Sequence, residues 1–333
     1  MRSLILALAA IAVAVMFTAC GGTSEDSAEA GSDGAKLTLV AYSTPREVYA
    51  QLTKDFAKTD AGKGVSFDES YGSSGEQSRA VEQGLPADVV AFSLAPDVER
   101  LVESGQVAET WADDQYDGMV TNSVVVFAVR KGNPNGIKTW NDLVKDGVEV
   151  IEPNPFTSGG ARWNVMAAYG AQRKLGKTHE QAVEYLNELF KHVSVQDKSA
   201  RESLQTFTGG KGDVLLAYEN EAILAQEKGE DLDYVVPEQT ILIENPVAVT
   251  KDAPEQGAGF LDYIRGDEAQ RVFGKAGYRP VNEAIADEFQ FPMPPGLFTI
   301  EDVGGWDEVQ KTFFDREDGI MAGIQREVGA ALE

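Results

Sequence analysis

The chain has 333 residues and carries 54 Asp and Glu against 29 Lys and Arg, a formal charge of −25. A phosphate backbone would be repelled by it rather than release counterions, so nucleic acid is excluded as a partner. One cysteine allows no internal disulfide, two isolated histidines beside it supply no zinc set, and 4 Trp, 10 Tyr and 15 Phe are ample for real cores.

The opening "MRSLILALAAIAVAVMFTAC" places Arg2 before an apolar run and small residues before a cysteine, the pattern of an export signal over residues 1–19. The run from Leu4 to Phe17 is shorter than the roughly 20 residues that a spanning helix needs. "FTAC" followed by Gly21-Gly22 resembles a bacterial lipobox, in which Cys20 is lipidated and becomes the mature amino terminus; Phe17 stands where the pattern usually has Leu. Cleavage elsewhere, giving a free secreted protein, is the alternative. "GGTSEDSAEAGSDGA" has almost nothing to bury and reads as a flexible tether, residues 20–35. Membrane contact is therefore expected through the lipid anchor only, at the outer face of the cytoplasmic membrane.

The roughly 300 residues that remain suffice for two lobes. "KLTLVAY" predicts a strand, "REVYAQLTKDFAK" a helix, "VSFDES" a strand, "SRAVEQG" a helix and "ADVVAF" a strand, an alternation that defines an α/β fold. A longer buried strand, "SVVVFAVR", ends at the turn-rich "KGNPNG", and "TWNDLVKDGVEVI" begins a new set of elements. There follow a helix at "ARWNVMAAYGAQRKL", a helix at "HEQAVEYLNELFKHV", a strand at "DVLLAY", a helix at "NEAILAQEKG", and the strands "YVVP" and "ILIENPVAVT".

In open α/β sheets ligands sit beyond the carboxyl ends of strands. Four such loops are small or hydroxylated and precede a helical pattern: Ser43-Thr44-Pro45-Arg46, Tyr71 to Gln77, "TSGGAR" from Thr157, and Gln196 to Ser203. One such loop is an ordinary helix cap. Four at equivalent positions point to an anion held by backbone N–H groups at helix starts. The overall charge does not forbid this, because surface charge more than about 10 Å away is largely screened by salt. Glu76 lies beside one of these loops and reads as a first-turn acid favoured by the helix dipole. "GSSGE" has the wrong frame for a nucleophile elbow, and neither His179 nor His192 follows a strand, so no enzyme is expected and no catalytic residue, metal or cofactor is assigned.

"SSGE", "NPFTSGGARWN", "SARES", "GDVLLAYENEA" and "GYRP" occur in the order and spacing of the bacterial sulfate-binding proteins, which the chain resembles from about Leu37 to "LFTIEDVGGW". The resemblance implies a two-lobed periplasmic-binding-protein (type II) fold with two crossing hinge strands, near Val126 to Arg130 and Ile241 to Val247. It implies lobe 1 at 36–127 plus 245–333 and lobe 2 at 128–244. It further implies a monomeric extracytoplasmic receptor that closes on sulfate and delivers it to an ABC permease. Carried over by position, the ligand donors fall on Ser74, Ser158, Gly159, Gly160 and Ala200, mostly main-chain N–H with the Ser158 hydroxyl added; Arg162 and Arg201 have a supporting role.

Two positions at the mouth of the site depart from the family. Ser43 replaces the usual Asp, and Tyr218 replaces a Trp, moving the side-chain donor from an indole nitrogen to a phenol oxygen. Both remain ligand candidates, and thiosulfate or molybdate stays open beside sulfate. A proton-free oxyanion also follows from chemistry: phosphate near neutral pH gains from a carboxylate that accepts its proton, whereas that group would be an unpaired repulsion against sulfate in a dry pocket. A structural or adhesive lipoprotein is the non-transport alternative; it explains the anchor but not the placement of the loops.

Overall fold

The computed structural model describes residues 34–332. The export signal, Cys20 and the tether up to residue 33 lie outside the described residues. The first half of the chain begins with β1 (Lys36–Tyr42), α1 (Arg46–Phe56), β2 (Ser66–Gly72), α2 (Ser74–Glu82), β3 (Val89–Ala91) and α3 (Ala95–Glu103). In α1 the buried residues Val48, Tyr49, Leu52, Thr53 and Phe56 fall on one helical face, as a surface helix over a sheet requires. β1 pairs in parallel with β2 on one side and with β3 on the other.

The long β4 (Met119–Arg130) then leads to β5 (Val150–Ile151), α4 (Gly159–Lys174), α5 (His179–His192), β6 (Val193–Val195), α6 (Ala200–Thr208), β7 (Val214–Tyr218), α7 (Glu219–Glu227), β8 (Leu232–Val235) and the long β9 (Gln239–Val249). α4 is buried nearly all round, which its Gly and Ala content allows by keeping it slim. α5 opens with a capping box in which Thr178 and Gln181 exchange side chain to backbone hydrogen bonds.

The strands lie in the order β2-β1-β3-β9-β4-β7-β5-β6, with the two long strands at the centre. β4 pairs antiparallel with β9 up to Val124 and with β7 from Val125 onward, so the first crossing sits at Val124–Val125, just ahead of its expected place. β9 leaves β4 at Pro246 and joins β3 at Val247, at the edge of the expected second crossing. The fold is thus α/β in two halves joined by two long crossing strands.

The remaining elements are α8 (Glu255–Arg265), α9 (Asp267–Lys275), β10 (Arg279–Pro280), α10 (Glu283–Ala286), β11 (Gly296–Phe298), α11 (Gly305–Phe313) and α12 (Ile320–Glu327). These last elements pack against both halves of the sheet. Phe260 and Phe273 of α8 and α9 do pack with Tyr49 and Phe56 of α1. β11, however, pairs with β9 beyond the crossing, and α11 and α12 bury Phe313, Met321 and Ile324 among Trp163, Leu186 and Phe190 of α4 and α5. The apolar faces of α4 and α5 need a cover, and the last 37 residues described, 296–332, supply it.

Candidate functional site

Five helices begin at one small cavity of about 10 Å³. Each contributes residues at or just before its first turn: Ser43 and Thr44 ahead of α1, Ser73 and Ser74 at α2, Ser158, Gly159 and Gly160 at α4, Ser199 and Ala200 at α6, and Tyr218 at α7. Tyr42, Gly72 and Ser93 complete the wall. Every ligand residue expected from the sequence, Ser43, Ser74, Ser158, Gly159, Gly160, Ala200 and Tyr218, is on it. Among the described residues, no carboxylate, ammonium or guanidinium is part of the lining.

The first amides of a helix have no intrahelical acceptor, and the aligned peptide dipoles make that end positive. Ser158 Oγ accepts from Ala161 N at 3.3 Å and Ser199 Oγ accepts from Glu202 N at 3.2 Å, so each cap satisfies an amide two residues into its helix. Among the described residues no acceptor takes the amides of Ser74, Gly159, Gly160 or Ala200. The arrangement can therefore hold an anion from several directions without a counter-charge.

The hydroxyls on the wall are not equivalent. Ser158 accepts through its oxygen and keeps its proton to donate. Ser74 Oγ donates to the buried Asp97 carboxylate at 2.5 Å and accepts from Ser93 N at 2.9 Å, so only its backbone N–H faces duty in the cavity. Tyr218 and Ser93 share one hydrogen bond of 2.6 Å. Two hydroxyls joined by one bond retain one further proton between them, and that proton is a side-chain donor available to the cavity beside those of Ser158 and Ser199. Burial pushes the Tyr218 phenol well above its ordinary range, so it stays neutral.

Gly159 is required by close approach. A Cβ there would lie 2.7 Å from Ser93 Cβ and 2.8 Å from Leu94 Cδ2, whereas at Gly160 the nearest atoms, on Ala200 and Tyr218, are 3.4 Å away. Trp163 Nε1 and Asn245 Nδ2 donate to the Ser93 carbonyl at 2.8 and 3.0 Å, which fixes Ser93 against α4 and β9. Ser93 was not singled out in the sequence, although it too follows a strand and precedes a helix.

Arg162 and Arg201 stand off the wall. Arg162 Nε donates to the Pro155 carbonyl at 2.9 Å, bracing the loop that leads into α4. Arg201 donates to the Thr44 carbonyl at 2.7 Å and grips both oxygens of Glu47 at 2.7 and 3.0 Å, with Lys228 Nζ also 2.6 Å from Glu47. Burial pushes the Glu47 carboxyl up, but the hydrogen bonds from Arg201 and Lys228 outweigh it and hold the pKa at about 2. Glu76 takes the Ser73 hydroxyl at 2.7 Å and is not on the wall. His179 and His192 bond to the Tyr169 hydroxyl and the Val148 carbonyl.

Residues 37–279 match the family model described as bacterial extracellular solute-binding protein. A sulfate-binding protein of Synechococcus elongatus is 41% identical over 328 residues, covering 94% of each chain. A thiosulfate-binding protein of Pseudomonas aeruginosa is 36% identical over 294 residues, covering 84% of this chain and 89% of its own. The structure of the sulfate-binding protein SubI from Mycobacterium tuberculosis superposes with a TM-score of 0.82 at 41% identity, covering 84% of this chain and 100% of SubI. The shared architecture is the two-lobed periplasmic-binding-protein fold, and the chain belongs to the family of bacterial extracellular solute-binding proteins.

Proposed function

We propose that this protein is an extracytoplasmic receptor that binds sulfate in the cavity where the five helices begin and delivers it to the permease of an ABC importer. The observation that carries this reading is the wall itself: helix-start amides and hydroxyls from both halves of the sheet, with no side chain among the described residues there that titrates near neutral pH. Such donors favour an oxyanion that brings no proton. The sulfate-binding relatives at 41% identity support sulfate as the ligand, and the family's role supports a binding protein rather than an enzyme.

In this reading the amides of Ser43, Ser74, Gly159, Gly160 and Ala200, the Ser158 hydroxyl and the spare proton of the Tyr218–Ser93 pair hold the ligand. Arg162 and Arg201 position the loops that present them. One lobe comprises residues 36–124 with 247–289, the other residues 125–241 with 296–332, a division supported by the strand pairing and by the two main cores. The receptor acts as a monomer tethered through a lipidated Cys20; no helix among the described residues is long and apolar enough to cross a membrane.

Calorimetric titration of the mature protein with sulfate, thiosulfate, molybdate and phosphate tests the reading. Sulfate is expected to bind most tightly, with an affinity that barely changes between about pH 6 and pH 8, because neither ligand nor donors titrate there. Preference for phosphate, or a steep pH slope, sinks it. Tighter binding of thiosulfate or molybdate would keep the neutral-donor mechanism and reassign the ligand, with Ser43 and Tyr218 as the residues responsible.

A further inference from the structure

Away from the cavity wall, the two halves also meet across an open groove of about 880 Å³. Arg79 of α2 and Arg100 of α3 line it from one half, and Arg162 of α4, Lys311 of α11 and Arg316 line it from the other. Five cations in one groove stand out on a chain of charge −25. The three acids at its edge, Glu76, Asp315 and Glu317, offset only part of this charge. Glu76 takes the Ser73 hydroxyl, Asp315 Oδ1 accepts the amides of Glu317 and Asp318 at 2.9 Å, and Glu317 makes no ion pair among the described residues.

The cations themselves are short of partners. Arg79, Lys311 and Arg316 form no ion pair among the described residues, and the carboxylate nearest Arg100, that of Glu82, is 3.8 Å away. Arg100 Nε is buried without any acceptor. Arg162 uses Nε on Pro155 and Nη1 on Gln310, at 2.9 and 2.7 Å, which leaves its second amino group available. Burial lowers the Arg162 pKa to about 10; Asp97 resists this, and Arg100, Arg79 and Arg316 add to it through like-charge repulsion.

Guanidinium groups that outnumber the carboxylates around them are stabilised by an anion that accepts their paired N–H donors. We propose that this groove is a second anion site, built for a multiply charged free oxyanion such as a phosphate or pyrophosphate group, which bridges the two halves of the molecule. Its chemistry is opposite to that of the cavity. The cavity offers neutral donors in a small closed space and rejects an anion carrying a proton; the groove offers charge in a wide open space and selects by charge. Pyrophosphate is therefore a probe of the groove alone.

The experiment is a calorimetric titration of the mature protein with inorganic pyrophosphate, carried out with sulfate already saturating and repeated at two salt concentrations. One pyrophosphate per chain is expected, with affinity that falls as sodium chloride is raised. The double substitution Arg100→Gln/Arg316→Gln is expected to weaken pyrophosphate binding at least tenfold and to leave sulfate affinity within about twofold, since neither residue touches the cavity wall. If the double variant does not fold, the exposed Arg316→Gln alone is expected to weaken binding several-fold. Absence of saturable binding, binding unchanged in the variant, or displacement of sulfate by pyrophosphate overturns the proposal. Because pyrophosphate binding is read separately from sulfate binding, failure of one assignment is visible without failure of the other.

Discussion

Ser158 and Ser74 both stand at a helix start, yet their hydroxyls face opposite demands. Ser158 keeps its proton for the cavity, while Ser74 gives its proton to Asp97, which is only 2% exposed. Ser158→Ala is expected to lose about 1.5–3 kcal/mol of sulfate binding, the range for a hydrogen bond to a charged partner. Ser74→Ala should lose less binding but more melting temperature, because it leaves a buried carboxylate short of a donor. Titration and thermal melts of both variants check the ranking; equal binding losses would remove the division of labour. At the departure from its relatives, Tyr218→Phe leaves Ser93 as the remaining hydroxyl, free to turn toward the ligand. A loss of roughly tenfold, about 1.4 kcal/mol, is expected, and Ser93→Ala on top of it should cost more than it does in the wild type.

At the scale of elements, most of the site was legible because the rule that ligands sit beyond strand ends needs only the order of strands and small-residue loops. It located four of the loops on the cavity wall. Ser93 escaped because in "FSLAPDVER" its one serine lies between the apolar Phe92 and Leu94, which hides the start of α3. The start of α7 shows what lies beyond such reading. Glu219 receives Arg279 at 2.9 Å, Asn220 receives the Ser123 hydroxyl at 2.9 Å, and Glu221 receives Arg201 at 3.3 Å. The "ENEA", "GYRP" and "SARES" segments thus meet at buried polar contacts, although they are far apart in sequence. Gly159→Ala should disturb α4 against Ser93 and Leu94 and abolish tight binding, while Gly160→Ala is expected to be milder; paired titrations check this. Glu152, 1% exposed, accepts one hydrogen bond from Asn164 and leaves Oε1 unpartnered; burial raises its pKa well above the ordinary carboxylate range. A raised carboxyl contributes stability that is full below its unfolded pKa and lost as pH rises through the folded one. Glu152→Gln should therefore raise the melting temperature more at pH 8 than at pH 5.

For the whole molecule, the sequence periodicity recorded helices but not which half each one covers. That is why a groove lined by cations from positions as distant as 79 and 316 left no local trace. The clamp of Arg201 and Lys228 on Glu47 joins α6 and α7 to α1 and so links the two halves. Glu47 has a folded pKa of about 2, below its ordinary value of 4.5, so its contribution is complete above that ordinary value and lost as pH falls toward 2. Glu47→Gln is expected to weaken sulfate binding several-fold at pH 7, and the gap from the wild type should narrow progressively as pH falls from about 4.5 toward 2. The uncharged wall, set in a chain of charge −25, also governs how quickly ligand arrives. A dianion approaching from solution meets a field of its own sign, and helix-start dipoles act only at close range. Encounter should therefore be slow in dilute buffer and accelerate with added salt, the reverse of electrostatic steering, as the Debye length shrinks from about 30 Å at 0.01 M to about 8 Å at 0.15 M. Dissociation, set by short contacts, should hold steady over the same range. Trp163, bonded to the Ser93 carbonyl beside the cavity, supplies the fluorescence signal by which stopped-flow mixing can follow both rates.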